Sequence, residues 1–439
     1  MRTTIILAFS LIHLSTNSCK KEQLNSYENA NTFVKVFNTE ERYFSKNVLE
    51  LEDGSIFLTA LEAKGYGNVP LFENARIAKY SPKGDFLWQK ELPSTIANLW
   101  AAKVLSNNNI LMAGLDKESN TWSFSHTLQI LIMNPEGEII HSKVLPYVYN
   151  YTGIGSTSME AIDVAEMPDG NIALVHPTIN FNQSQTVKIR LVLFSPELGS
   201  AVAKILEPDG IIANKDIMQP KINFDLNGEI LINGFTNLTS SSNGAQYLEN
   251  RSLITKINGS DYTPVKQTIY NQVPNHSPSN FTFTNSNDIV WISGVHENTG
   301  SSHMRYFNLN DQERFISARQ LQVWKINNEN FSAERSIIDG FPKYGFINTL
   351  KRTQDGGYIG IGTCNINEDQ LVPSQYRILI IKLNPDLSKQ WTKVLNTDNS
   401  GQGVDITETN DGFLIAANYL SMDLNPKPVL IKVDKSGNL

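Results

Sequence analysis

The chain has 439 residues, 40% hydrophobic and 18% charged, with 27 Gly and 18 Pro, which excludes a disordered or collagen-like polymer and fits a globular protein with a sizeable core. Its 37 Lys and Arg against 44 Asp and Glu leave a formal net charge of −7, and the one basic run is Lys20-Lys21, so no nucleic-acid partner is expected. A chain of this length divides into two or three domains unless it is a repeat array or a large all-β fold.

The first element is a signal segment. Arg2 supplies a minimal positive start, and residues 3–14, "TTIILAFSLIHL", form an apolar run too short to span a bilayer. "STNSCKKE" then turns polar around Cys19. Residues 1–18 are expected to be a signal peptide. The small Ser18 before Cys19 resembles the lipobox of bacterial lipoproteins, which implies that Cys19 is diacylated on sulfur and becomes the mature N-terminus. Thr16 stands where that pattern usually has Leu and His13 interrupts the apolar run, so cleavage without lipid remains the alternative. Acyl chains contribute roughly 0.8 kcal/mol per buried CH₂, so two or three would hold the protein at a membrane. Lys20 offers no acidic retention signal, and the expectation is an exported, outer-membrane lipoprotein facing the periplasm or the surface, with residues 19–30 as the linker. Cys19 and Cys364 are the only cysteines; with Cys19 lipidated, Cys364 has no disulfide partner and reads as a small buried thiol.

From residue 32 onward the chain reads as strands. "TFVKVFNT" (residues 32–39) comes first, and then a unit repeats in which a β-like segment leads to an Asn/Asp-Gly turn, an apolar strand and a polar loop. A second apolar strand, a Pro/Gly turn and a last strand carrying an aromatic before Lys complete it. The turn mark recurs at Asp53-Gly54, Asn107-Asn108, Asp169-Gly170, Asn227-Gly228, Asn287-Asp288, Asp355-Gly356 and Asp411-Gly412, in steps of 54, 62, 58, 60, 68 and 56 residues by subtraction. Asp-Gly between apolar runs is the signal of a type I′ hairpin, with positive φ at both central residues. The third strands "RIAKYS", "LITKIN", "QVWKIN", "LIIKLN" and "VLIKVD" place Lys79, Lys256, Lys325, Lys382 and Lys432 in one register. Each Lys is expected to lie along its strand with its ammonium reaching acidic turn residues.

Seven four-stranded units without helical periodicity predict an all-β fold, a seven-bladed β-propeller filling residues 31–439 as a single domain. The last unit stops one strand short at "DKSGNL", and "TFVKVFNT" matches "QWTKVLNT" (residues 390–397). The N-terminal strand is therefore expected to complete the last blade, with Phe33 packing where Trp391 and Trp88 pack in other blades. Such a clasp leaves no long sheet edge unpaired, and a monomer is expected. "TQDGGYIGIG", "LIIKLN" and "QWTK" resemble the signature T-x-D-G-G-Y-I-x-x-G, L-I-K-L-D/N and W-x-K of bacterial exported β-propeller repeat proteins. That resemblance implies the fold and export and little about chemistry.

Catalytic motifs are missing. "SPKGDFLW" at Ser81 to Trp88 approaches a sialidase Asp-box, yet Lys83 replaces its Asp and the glycine is displaced; there is no vicinal Cys pair, Trp-Asp signature, G-x-S-x-G, H-E-x-x-H or phosphate-cradling glycine loop. No catalytic residue, metal or cofactor is assigned. The tight turns fall on one face, so a ligand is expected at the opposite, loop-rich face. The longest loop there, residues 295–320, holds His296, His303, Arg305, Tyr306, Asp311, Glu313 and Arg314. Of these, His296, His303, Arg305 and Asp311 are the candidate ligand contacts. Tyr149, with Tyr147 and Tyr151 in "PYVYNYTG", is a candidate for stacking on sugar rings. Two functions stay open: a non-catalytic binding or scaffold propeller for a protein or glycan partner, or a surface polysaccharide hydrolase or lyase with a loop-built site.

Overall fold

The computed structural model describes residues 27–28, 31–37, 42–64, 71–116, 125–148, 162–179, 187–206, 217–242, 245–270, 281–295, 320–338, 345–365, 376–395, 400–420 and 426–439. Among them are seven antiparallel sheets, each built from four consecutive strands except where the chain ends meet. Blade 1 comprises Arg42–Glu50, Ile56–Lys64, Leu71–Tyr80 and Phe86–Glu91, and blade 2 Asn98–Val104, Ile110–Leu115, Ser125–Met133 and Ile139–Val148. Blades 3, 4, 5 and 6 open with Asp163–Glu166, Ile217–Phe224, Thr282–Phe283 and Gly345–Arg352. Blade 7 opens with Ser400–Glu408 and ends with Pro426–Asp434. First strands touch first strands of the neighbouring blades, blade 7 with 1, 1 with 2 and 6 with 7 among them, so they line the centre of the ring. This is the seven-bladed β-propeller.

The ring closes through its own N-terminus. Phe33–Val36 pairs antiparallel with Pro426–Asp434, Phe33 opposite Lys432 and Val36 opposite Val429, and Tyr27–Glu28 adds a fifth strand outside it. Trp88 stands opposite Lys79 and Trp391 opposite Lys382 in their blades, so the three aromatics share one register with the three lysines. Each ring also lies over a left-handed glycine in the next blade. A Cβ added at Gly84, Gly137 or Gly437 would stand 2.8, 2.5 or 2.8 Å from the ring of Phe33, Trp88 or Trp391 respectively. Where that glycine is replaced by a larger residue at positive φ, as at Tyr262, Phe331 and Leu387, the preceding blade offers Val202, Lys266 and Glu334 at the aromatic place. One side of each seam supplies the bulk and the other makes room.

The seam between blades 7 and 1 is buried accordingly. Phe33 is grouped with Val48, Ile56, Leu58 and Tyr80 of blade 1 and with Leu414, Ala416 and Leu430 of blade 7. Polar ties join it as well: the Ser45 N–H donates to Asn418 Oδ1 at 2.7 Å, and the Ser45 hydroxyl to the Ala417 carbonyl at 3.0 Å.

The turn chemistry corrects one expectation. Gly54, Asn108, Gly170, Gly228, Asn287 and Gly356 have positive φ while the residues before them do not. The Gly54 N–H donates to the Leu51 carbonyl and the Leu51 N–H to the Ser55 carbonyl. This is a type I turn closed by a left-handed bulge residue, a three-residue loop that needs one positive φ rather than the two of type I′. In blade 5 the left-handed place falls on Asn287, so Ser286-Asn287 occupies the position taken by Asp-Gly elsewhere. Blade 7 turns more tightly, with the Thr409 N–H bonded to the Gly412 carbonyl.

The shared lysines serve those turns. Lys382 meets Asp355 at 2.9 Å, Lys432 meets Asp411 at 2.9 Å and Lys325 meets Asp288 at 3.2 Å. Lys256 lies between Asp225 and Glu229. Lys79 departs from the pattern and donates to the Pro135 carbonyl of blade 2 at 3.0 Å. Cys364 is buried in the blade 5–6 core, where desolvation pushes its thiol up to about 12, so it stays protonated and packs as a small apolar group.

Candidate functional site

The central strands carry a feature that alternation alone hides. Five of the seven shift register by β-bulge, between Ser45 and Asn47, Leu99 and Ala101, Met218 and Lys221, Ile347 and Thr349, and Gly403 and Asp405. A bulge adds an unpaired residue and re-aims its side chain, as often happens beside binding sites. Lys46 is the added residue in blade 1 and Trp100 in blade 2. They stand seven residues before Asp53 and Asn107 by subtraction, the same place in two adjacent blades. The Lys46 ammonium lies over the Trp100 ring, 4.6 Å from its centroid, while part of Trp100 packs on the core between blades 2 and 3.

The electrostatics of the channel are uneven. Burial, joined by a smaller repulsion from Lys221, lowers the Lys46 pKa to about 8. Lys221 belongs to the first strand of blade 4, three blades from Lys46 in the ring of seven. The acids nearby are already engaged. Asp163 Oδ1 is 3.3 Å from Lys103 and its Oδ2 accepts the Ile222 N–H at 3.0 Å. Asp405 Oδ1 is 3.0 Å from Lys351 and its Oδ2 accepts the Val48 N–H at 3.1 Å. These are two copies of one device, each joining three successive blades through a carboxylate only 8% or 9% exposed. Hydrogen bonds to a buried charge contribute roughly 1.5–3 kcal/mol each, which holds both acids in structural roles. The Lys46 ammonium and the Trp100 indole plane thus lie together on adjacent central strands. On the Trp100 strand the indole N–H of Trp100 and Oδ1 of Asn98 are buried with no hydrogen-bond partner among the described residues.

The residues singled out on the loop-rich face cannot be placed against this site. Cys19, Tyr149, Tyr151, His296, His303, Arg305 and Asp311 lie outside the described residues, as do Tyr306, Glu313 and Arg314. Tyr147 is the penultimate residue of the fourth strand of blade 2, opposite His126. His176 of blade 3 is buried, and desolvation takes its pKa down to about 4, so it is neutral at physiological pH. Among the described residues no group of three His, Cys, Asp or Glu could hold a metal ion.

No family model matches the chain, and no curated protein matches it either. Solved structures do resemble it. A polysaccharide lyase, Uly1, is similar at a TM-score of 0.50 and 12% identity, covering 96% of this chain and 94% of that one. An α-L-arabinanase of Penicillium chrysogenum, complexed with arabinobiose, is similar at a TM-score of 0.48 and 10% identity over 94% of this chain and 100% of that one. An α-L-arabinofuranosidase of Fusarium graminearum gives a TM-score of 0.45 and 9% identity over 93% and 96%. At these identities the likeness shows the propeller fold.

Sequence reasoning missed Lys46, Trp100 and Lys221. A signal was present for Lys221 alone: the place six residues before the turn mark is polar in five units, as Asn47, Asp163, Lys221, Thr349 and Asp405, though blade 2 has Ala101 there. Aligning the units on their turns would have exposed that column.

Proposed function

We propose that the protein is an exported, lipid-anchored propeller that binds a glycan in its central channel, entering from the loop-rich face, without cleaving it. The observation that carries this reading is the Lys46–Trp100 pair on adjacent central strands, ammonium 4.6 Å from the indole centroid. An aromatic plane stacks on the C–H face of a sugar ring, and a neighbouring ammonium bonds its hydroxyl or acidic substituents. The non-catalytic part is supported by the central acids: Asp163 and Asp405 are each held by a lysine and a backbone N–H, which leaves neither available as an acid or base. The polysaccharide lyase of similar fold makes glycans the first ligands to test. A lipid on Cys19 would stand eight residues before Tyr27 by subtraction, holding the rim of blade 7 within about 28 Å of a membrane.

A soluble form beginning at residue 22, titrated with a glycan panel and followed by chromatography of each glycan, tests both halves. Retention of a glycan with unchanged chain length is expected. Release of shortened or unsaturated products would establish the alternative, a surface hydrolase or lyase, and retention of no glycan would remove the reading.

A further inference from the structure

Resting on the lipid-anchored reading above, we propose that the outer rim of blades 1 and 2 is a membrane-contact surface, with Phe86, Leu87, Ile139 and Ile140 seated among lipid headgroups beside the anchor. The reasoning starts from one place that recurs around the ring, the two residues that open the fourth strand. In blades 1 to 6 it reads Phe86-Leu87, Ile139-Ile140, Ala201-Val202, Pro264-Val265, Ala333-Glu334 and Lys389-Gln390. The scaffold makes no demand for large apolar side chains there, because blades 5 and 6 build the same strand with Ala333-Glu334 and Lys389-Gln390. Phe86 is nevertheless 60% exposed, Leu87 52%, Ile139 43% and Ile140 41%. Apolar area left in water on two adjacent blades, at a place the fold fills with small or polar residues elsewhere, marks a surface that is covered in use.

The two pairs are continuous with each other and with the N-terminal strand. Trp88 follows Leu87, and its ring lies on Gly137 of the blade 2 turn, two residues before Ile139. The Lys90 ammonium donates to the Glu136 and Gly137 carbonyls of that turn at 3.1 and 2.9 Å. On the other side Gly84, two residues before Phe86, lies against the ring of Phe33. The apolar pairs therefore run on from the strand by which the chain enters blade 7, and Cys19 stands eight residues before Tyr27 by subtraction. That position favours lipid as the occupant. Charges around the patch nearly cancel, Lys83, Lys90 and Lys143 standing against Asp85, Glu91, Glu136 and Glu138, so the contact is apolar and owes little to anionic headgroups.

The contact sets orientation. In a blade of four consecutive antiparallel strands, the turns joining strands one to two and three to four share a face, so the fourth strands begin at the tight-turn face. Seating that rim on the membrane turns the loop-rich face and the mouth of the channel outward. The patch binds weakly by itself, and the tether raises its effective concentration at the surface.

The test uses the full chain as processed in the cell, reconstituted into vesicles of phosphatidylethanolamine and phosphatidylglycerol. Leu87→Cys, Ile140→Cys and Val265→Cys each add one thiol for a polarity-sensitive fluorophore, Cys364 being buried. Val265, 59% exposed at the same place in blade 4, is the control. The probes at 87 and 140 should shift to the blue and be quenched by brominated lipid about threefold more than the probe at 265, with raised salt changing neither. Emission as in water at all three sites, from a protein that floats with the vesicles, would overturn the surface and leave the anchor standing. A blue shift at 87 that grows with protein concentration in the absence of vesicles would assign the patch to a second copy and overturn the lipid contact. Flotation and blue shift both retained in Cys19→Ala would end the anchor and leave the surface standing. Flotation of neither form would end both.

Discussion

Replacing Phe33 by Ala tests the closure of the ring. Phe33 is 2% exposed, stands opposite Lys432 and presses on Gly84 of blade 1. Its ring joins a seam cluster drawn from both blade 1 and blade 7. Truncating a buried Phe to Ala costs about 3–5 kcal/mol through lost transfer energy and the cavity left behind. The upper end applies here, because Gly84 has no side chain with which to fill the space. Chemical denaturation followed by far-ultraviolet circular dichroism should show the midpoint falling with the slope unchanged, as expected if the ring opens as one unit. Trp88→Ala and Trp391→Ala, the same seat in closed blades, should cost a similar amount. A loss below about 1 kcal/mol for Phe33→Ala, beside several for the two Trp variants, would refute the equivalence of the N-terminal strand to a blade's own fourth strand.

Other outcomes follow from the same geometry. Gly437→Ala puts a Cβ 2.8 Å from the Trp391 ring at a φ of +75° and should cost about 1–3 kcal/mol. Combining it with Trp391→Ala should cost less than the sum, because the second change removes the obstacle. Burial raises the Glu50 pKa to about 6, against partial relief from Lys432. A carboxyl raised in the folded state binds its proton more tightly there, so stability falls as pH climbs from about 4.3 through 6, and Glu50→Gln should be more stable than wild type by about 1 kcal/mol at pH 8 and equal to it at pH 4. Thermal unfolding at the two pH values reads the difference, and a gain of equal size at both would contradict it. Cys19→Ala should abolish acyl labelling and move the protein to the soluble fraction; labelling that persists would end the anchor proposal.

Much of the scaffold was legible because a propeller repeats its rules. The Asp-Gly marks, the third-strand lysines and the aromatic shared by Phe33, Trp88 and Trp391 each answer a local requirement: a left-handed turn residue, a counter-ion for turn acids, a filler for the seam. The hairpin type was misread because one positive φ and two leave the same Asp-Gly in the sequence, and only the added residue in the loop separates them. The channel was illegible for a related reason. A bulge moves Lys46 and Trp100 out of the two-residue alternation that identifies an inward face, so a lysine and a tryptophan in the central strands looked like neighbours of the core. The loop residues His296, His303, Arg305 and Asp311 were chosen for their chemistry alone, and no repeat rule fixes where such insertions lie.

The central claim is that the channel binds the ligand, and Trp100→Leu tests it most directly. Leu keeps the apolar contact with the blade 2–3 core and removes the aromatic plane facing Lys46. The affinity of this variant for the best-bound oligosaccharide should fall at least tenfold, in line with the loss of one stacking contact of about 1–1.5 kcal/mol together with its cation partner, while its melting temperature stays near that of wild type. Undiminished affinity in a folded Trp100→Leu protein would contradict the account and move the binding site out of the channel.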